Sequence, residues 1–389
     1  MTRTVAILGA TGLVGATLTE LLLARGRKVR PVIHSPGNAW RLARLGVDLH
    51  RSDILVPEQL TQTLRGCEVV VNCTRGGPKQ LIDGFRNILD CAKAAGVRRI
   101  VHISSVAVYG EPPSPDSHDE SGGTAPQKDS YGWYKLLQDQ MLQKATGPSL
   151  ESVILCPPNI IGAYGYFPLK LLDTLTSGTF AYVEDGAGPC NTVDVFNLAH
   201  AIDLAMGGKV TDGRRLFVTD AEATSWRDLV EPLRPVVPTT FAPRSVSREE
   251  AQRLTRSAPA RPASIGRSLR HLVSSDVREA LRKDPLLAKA DMALRKTVAR
   301  LGSGTEDKLR MAVEGPRKVA KQGDPHGVDT ALLTMALREV RHSCARAQVE
   351  LGYAPVLTVA QSMEAFVRWV RDTRGMDDRD WHLGRELYA

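Results

Sequence analysis

The sequence predicts an α/β fold: a doubly wound parallel sheet with a smaller C-terminal substrate region and a helical insertion. Three observations predict it. From the start to about residue 240, short β-branched runs alternate with amphipathic segments, the pattern of repeated βαβ units. The first of these runs is followed at once by three regularly spaced glycines. A chain of 389 residues, 42% hydrophobic and 24% charged, is long enough for one large or two ordinary cores.

Taken in order, "TVAILG" (4–9) reads as a strand and 13–25 as the helix after it. "KVRPVIH" (28–34), "EVVVNCT" (68–74), "RRIVHISS" (98–105) and "ESVILCP" (151–157) read as further strands, with a helix over 79–96. Runs this apolar belong to strands covered on both faces, so the sheet is parallel, with helices on either side and right-handed crossovers. Between about 243 and 342 the texture becomes helical and basic. That window holds 21 Lys and Arg against 12 Asp and Glu, which accounts for the chain's whole net charge of +8. The expected division is 1–242, a basic helical insertion over 243–342, and a closing part of the substrate region over 343–389.

Several classes are set aside. No apolar run approaches the roughly 18–20 residues that cross a bilayer, and the apolar start carries its glycines at a nucleotide-loop spacing, not a secretory pattern. The six cysteines form no Cys-x-x-Cys pair and the nine histidines no metal-ligand spacing, so neither a metal nor a disulfide framework is expected, and a cytoplasmic location fits.

Gly9, Gly12 and Gly15, interleaved with Thr11, Leu13 and Val14, join the first strand to a helix as G-x-x-G-x-x-G. Glycine allows the tight turn and the close approach of backbone to a pyrophosphate, while the helix N-terminus offers N–H groups to the anion. A Rossmann-like dinucleotide site follows. The acid that usually grips the NAD ribose at the end of the second strand is missing: His34 and Ser35 stand there, and Arg41 and Arg44 come next. NADP(H) is therefore favoured over NAD(H).

In "DSYGWYKLLQDQM" (129–141), Tyr131 and Lys135 lie one helical turn apart and face the same way. A carbonyl receiving a hydride needs a proton donor, and a nearby cation draws a phenol's pKa down toward the working range.

These segments, with "SDI" (52–54), "VVNCT" (70–74), "HISSVAVYGE" (102–111), "ILCPPNIIGAYG" (154–165) and "VDVFNLAHAIDLA" (193–205), resemble the extended short-chain dehydrogenases/reductases, the NAD(P)-dependent epimerase/dehydratase group, over about 1–240 and 343–375. The resemblance implies that Asp53 and Ile54 meet the adenine, and that Asn72, Cys73, Thr74 and Pro157 border the cofactor. It makes Ser105, Tyr131 and Lys135 the catalytic triad and Asn159 a substrate contact. Ser104 becomes a packing residue. Val106 and Ala107 stand where the sugar dehydratases carry an acid pair, and Cys190 where nucleotide-sugar enzymes tend to present an arginine. The 193–205 segment looks more like the 3β-hydroxysteroid and sterol dehydrogenase branch, which implies a mainly apolar or modestly polar small molecule as substrate.

The implied activity is an NAD(P)-dependent oxidoreductase interconverting an alcohol and a carbonyl. A nucleotide-sugar epimerase, and a cofactor-binding sensor or assembly factor acting through the basic insertion, stay open beside it. The insertion is expected to serve as a lid, an oligomer-forming element or a docking face for an acidic protein. A homo-oligomer is expected, and a nucleic-acid partner is not.

Overall fold

The computed structural model describes residues 4–36, 39–237, 242–257 and 327–374. The first half runs β1 (Val5–Leu8), α1 (Leu13–Ala24), β2 (Val29–Ile33), α2 (Trp40–Ala43), β3 (His50–Arg51), α3 (Pro57–Leu64), β4 (Val69–Asn72), α4 (Phe85–Ala94), β5 (Arg99–Ile103), α5 (Tyr131–Ala145) and β6 (Glu151–Cys156). Then come β7 (Asn159–Ile161), α6 (Tyr166–Thr176), β8 (Ala181–Val183), β9 (Thr192–Asp194), α7 (Val195–Ala205), β10 (Asp212–Phe217), α8 (Trp226–Val230), β11 (Arg244–Val246) and α9 (Arg248–Ser257). The described chain closes with α10 (Thr330–Ala336), α11 (Ala345–Leu351) and α12 (Val359–Arg374).

Seven strands form one sheet in the order β10-β6-β5-β4-β1-β2-β3, every neighbouring pair parallel. All residues of β1, β4 and β5 are buried, as the unbroken apolar runs require of strands covered on both faces. On one face, Leu18 and Leu22 of α1 pack with Leu198 and Ile202 of α7 and Leu351 of α11. On the other, Leu60, Phe85, Ile88 and Leu142 cover the sheet from α3, α4 and α5. Strand order reverses between β1 and β4, which opens a crevice at their C-terminal ends, where open α/β sheets receive ligands.

A second core holds the substrate region together. Leu171 of α6, Trp226 and Leu229 of α8, Leu333 of α10 and Phe366 of α12 meet there, beside Val183 of β8. Strand β11 pairs in parallel with β8, and Ala251 of α9 is buried in the same core. Both described ends of the basic segment are thus built into the substrate region. Residues 258–326, which carry most of that segment, lie outside the described residues.

Asn197 ties distant parts of the chain together. Its Oδ1 accepts bonds from the backbone N–H groups of Val356 and Leu357 at 2.7 and 2.9 Å, while its Nδ2 donates to Leu357 O and Asp220 Oδ1, each at 2.8 Å. Asp220 also accepts from the Asp194 N–H at 2.8 Å. A buried amide with this many partners cannot be removed without stranding several of them. Asn197→Ala is expected to lower the unfolding free energy by about 2–4 kcal/mol. A urea midpoint matching the wild type would contradict this knot.

Candidate active site

The site starts at the glycine loop. Gly9 adopts φ +76°, and a Cβ on it would lie 2.7 Å from the Cys73 carbonyl oxygen at the end of β4. A Cβ on Gly15 would overlap the Gly9 carbonyl. Both glycines are demanded by the protein's own packing. Gly12 differs: it is exposed, and a Cβ there would meet nothing nearer than the Gly9 carbonyl oxygen at 3.4 Å. Its missing side chain leaves room for something outside the chain, directly before the first-turn N–H groups of Leu13 and Val14. That cradle fits a dinucleotide pyrophosphate.

The three reactive groups come from two places, the end of the β5 segment and helix α5. Ser105 ends the β5 segment and caps a 3-10 turn over Val106–Tyr109, its Oγ accepting from the Ala107 N–H at 3.2 Å. The hydroxyl proton stays free to donate. Ser130 caps α5 by accepting from the Trp133 N–H at 3.2 Å, which makes Tyr131 the first helical residue. Gly132 lies so close to the Ala107 carbonyl that a Cβ on it would overlap that oxygen. This contact brings Tyr131 beside Ser105. One turn further, Lys135 is almost fully buried and donates to the Ile103 carbonyl at 2.9 Å, with Nζ 5.9 Å from the centre of the Tyr131 ring.

A cavity of about 400 Å³ gathers these parts. Gly12, Leu13, Val14, Cys73 and Thr74 line it at the crevice end, and Ser105, Tyr131, Lys135, Pro157 and Asn159 line it further in. Tyr131 is 44% exposed, open toward the cavity, while the protein packed around it raises its phenol pKa and Arg75 draws it back down. Burial lowers the Lys135 ammonium to about 8 against the opposing pull of Asp139. The Cys73 thiol is pushed up to about 12 by burial, so it is no thiolate.

Other expected cofactor residues sit outside this cavity. His34 and Ser35 are exposed at the end of β2, with His34 Nε2 3.7 Å from Asp53 Oδ2. Asp53 accepts from the Leu55 N–H at 2.8 Å, and Ile54 receives a bond on its carbonyl from Asn87 at 3.0 Å. Two expectations need correction. Arg41 does not stand free for a 2′-phosphate: it is buried, bonded to Glu20 at 2.7 Å and Thr17 at 3.1 Å, and lies 4.4 Å over the Tyr164 ring. Its long stem packs inward, leaving Arg44 as the exposed arginine of the pair. Asn72 is fully buried; its Oδ1 accepts from Thr74 and its Nδ2 meets His102, so it shapes the strand end from within.

Some cavity residues were missed by sequence reasoning. Arg338 lies beside Cys190, at the corner where the expected arginine was absent, and its Nη2 is 3.3 Å from Glu111 Oε1. Asn191 fixes the strap that carries it, donating to the Val340 carbonyl at 2.8 Å and accepting from the His342 N–H at 2.9 Å. His342 also faces the cavity, and burial lowers its pKa to about 4, so it is neutral at physiological pH. Single cations so far along the chain have no local pattern to betray them.

A nucleotide cradle at the switch point, with a phenol, an ammonium and a hydroxyl turned into one cavity, defines the class: a dinucleotide-dependent α/β enzyme. Residues 5–210 match the family described as the NAD dependent epimerase/dehydratase family, and the chain belongs to it. It is an NAD(P)-dependent enzyme of the extended short-chain dehydrogenase/reductase type. The chain is 26% identical over 237 residues to the 4-hydroxy-2-methyl-3-oxo-4-farnesyl-3,4-dihydroquinoline-1-oxide ketoreductase of Stigmatella aurantiaca, covering 58% of this chain and 70% of that protein. It is 30% identical over 239 residues to the sterol demethylase protein B of Methylococcus capsulatus, covering 57% and 71%. Its fold is shared with the UDP-glucose 4-epimerase of Thermotoga maritima, at TM-score 0.63 and 16% identity over 96% of this chain and 100% of that one.

Among the described residues no helix is long and apolar enough to cross a membrane, and no group of three or more His, Cys, Asp or Glu could hold a metal. Two glycine variants separate the roles argued above. Gly132→Ala is expected to cost about 1–3 kcal/mol of stability in urea unfolding, whereas Gly12→Ala should unfold like the wild type and lose affinity for NADPH. A Gly132→Ala protein of wild-type stability would contradict the close contact with Ala107.

Proposed function

We propose that the enzyme interconverts a carbonyl and an alcohol on a small molecule, with NADP(H) as the favoured cofactor. One observation carries this reading: Ser105, Tyr131 and Lys135 line the same cavity as the Gly12–Val14 loop. Bound in that crevice, a nicotinamide supplies or accepts the hydride. Ser105 donates a hydrogen bond to the substrate oxygen and holds it near the phenol. Tyr131 gives its proton to that oxygen as the alcohol forms and takes it back in the reverse direction. Lys135 stabilises the phenolate electrostatically and has N–H donors beyond its bond to Ile103 for the ribose hydroxyls. The likeness to a named ketoreductase favours the carbonyl-reducing direction.

NADP(H) is favoured by the exposed edge after β2. His34 and Ser35 replace an acid there, and Arg44, about half exposed and 3.0 Å from Glu20, can turn to a 2′-phosphate. A reducing cytoplasm is the location proposed, on cysteines that the sequence scatters without a pairing pattern.

A second reading, epimerisation of a nucleotide sugar by transient oxidation, is favoured by a specific observation: Arg338 restores a cation beside Cys190, in the cavity that Asn159 also lines. Retention of tightly bound NAD(H) through purification would select it, because an epimerase regenerates its cofactor in each cycle.

Tyr131→Phe is expected to reduce turnover of a ketone and aldehyde panel by about a hundredfold or more, with NADPH binding retained; full activity would reject the mechanism. Arg44→Glu is expected to weaken NADPH relative to NADH by about tenfold. An unchanged ratio by fluorescence titration would reject the NADP(H) preference.

A further inference from the structure

Beneath Lys135 lies a group of buried polar side chains to which the chemistry above gives no role. Asp139 follows Lys135 by one helical turn, as Lys135 follows Tyr131, so the three fall along one face of α5. Asp139 is fully buried. Its Oδ2 accepts a 2.6 Å bond from Arg215 Nε on β10, and the Arg215 side chain is 15% exposed. Its Oδ1 faces Ser104 and His102 Nε2, the latter 3.6 Å away.

The protonation of His102 can be deduced. The Thr74 backbone N–H can only donate, so the Asn72 atom it meets at 3.2 Å is the amide oxygen. The other Asn72 atom, 3.0 Å from His102 Nδ1, is then the NH₂, and Nδ1 must accept from it. The ring proton therefore sits on Nε2, directed at Asp139. Burial and the nearby Lys135 charge hold His102 neutral. At 3.6 Å from Asp139 Oδ1 that N–H makes no hydrogen bond, so His102 brings the carboxylate no positive charge.

The other groups that face Lys135 come from several elements. Cys73 and Arg75 approach from the end of β4, Cys156 from β6, His102 from β5, and Tyr131 from α5 itself. Both thiols are pushed up by burial and stay protonated, Tyr131 is a neutral phenol in its resting form, and Arg75 is a cation. Of these neighbours and Asp139, only Asp139 brings negative charge to the buried ammonium. A buried lysine without a counterion sheds its proton, and a buried carboxylate without a cation takes one up.

We infer that Asp139 is a positioning residue that keeps Lys135 an ammonium ion, and that Arg215 in turn keeps Asp139 a carboxylate. The charges form a line from β10 to the cavity: Arg215, Asp139, Lys135 and then the phenol of Tyr131. The inference rests on the proposed function in one respect, that Lys135 meets the cofactor ribose in its charged form.

The test measures NADH and NADPH affinity by nicotinamide fluorescence from about pH 6 to about pH 10, each curve normalised to its own low-pH plateau. Wild-type affinity is expected to hold up to about pH 8, where Lys135 loses its proton, and to fall beyond it. In Asp139→Asn the break should move down by about one pH unit or more, and Asp139→Glu should return it toward the wild-type position. A merely structural role for Asp139 would lower affinity at every pH and leave the break in place, and that result overturns the inference. Because Asp139→Asn strands the Arg215 charge, Asp139→Asn/Arg215→Gln provides a second test without that stranded guanidinium, and the same downward move is expected. A wild-type chain that binds neither nucleotide overturns the cofactor reading itself, and this inference with it.

Discussion

Gly132 meets the Ala107 carbonyl with no room for a side chain between them, and the candidate chemistry depends on that contact. It presses the first turn of α5 against the 3-10 turn that follows β5, so that a residue from each, Tyr131 and Ser105, opens into one cavity. Lys135 is fixed from the other side, by its bond to the last residue of β5. Ser105 from one stretch of chain, and Tyr131 with Lys135 from another, are thus set by a capped turn at a strand end and by one helix, not by flexible loops. Such placement limits the motion left to be frozen when a substrate arrives.

The electrostatics of the site follow from burial, with charges placed to oppose it. Enclosure raises the Tyr131 phenol and lowers the Lys135 ammonium, both away from the forms that proton transfer needs. Arg75 at the cavity draws the phenol down and Asp139 beneath it draws the ammonium up, while each has the opposite effect on the other group. Further out, Glu20 takes up Arg41, and Tyr164 stacks on it, while Arg44 remains accessible. Arg41 in α2 and Arg44 just after it thereby differ in setting, one buried and one exposed, although the sequence shows them as near-equivalents three residues apart.

Much of the sheet was legible because β1, β2, β4, β5 and β6 are apolar enough to announce burial on both faces. Strand β10 was not, since its "DGRRLF" reads as a charged surface segment. Its charges have local partners: Arg214 pairs with Asp212 and Glu350, and Arg215 with Asp139. Strands β7, β8, β9 and β11 are each three residues long, too short for any periodicity to show. In the cavity, the Gly12 loop, Tyr131 and Lys135 could be picked out because their local spacing carries information, and Ser105 and Asn159 because the segments around them resemble the family's motifs. Arg75, Arg338 and His342 could not, because what places them is tertiary: a strand end for the first, and for the others a strap pinned by Asn191. The misjudged role of Arg41 has the same origin, since nothing in "AWRLARLG" tells which arginine turns inward.

In the proposed function, a phenol, an ammonium and a hydroxyl converge on the nicotinamide end of a dinucleotide held by the Gly12 loop. A crystal structure of the enzyme with NADP⁺ tests it most directly. The pyrophosphate is expected on the N–H groups after Gly12, the Lys135 ammonium on the nicotinamide ribose, and the Tyr131 and Ser105 hydroxyls both facing the space above the nicotinamide ring. A nucleotide bound elsewhere, or a nicotinamide seated away from Tyr131, would contradict it.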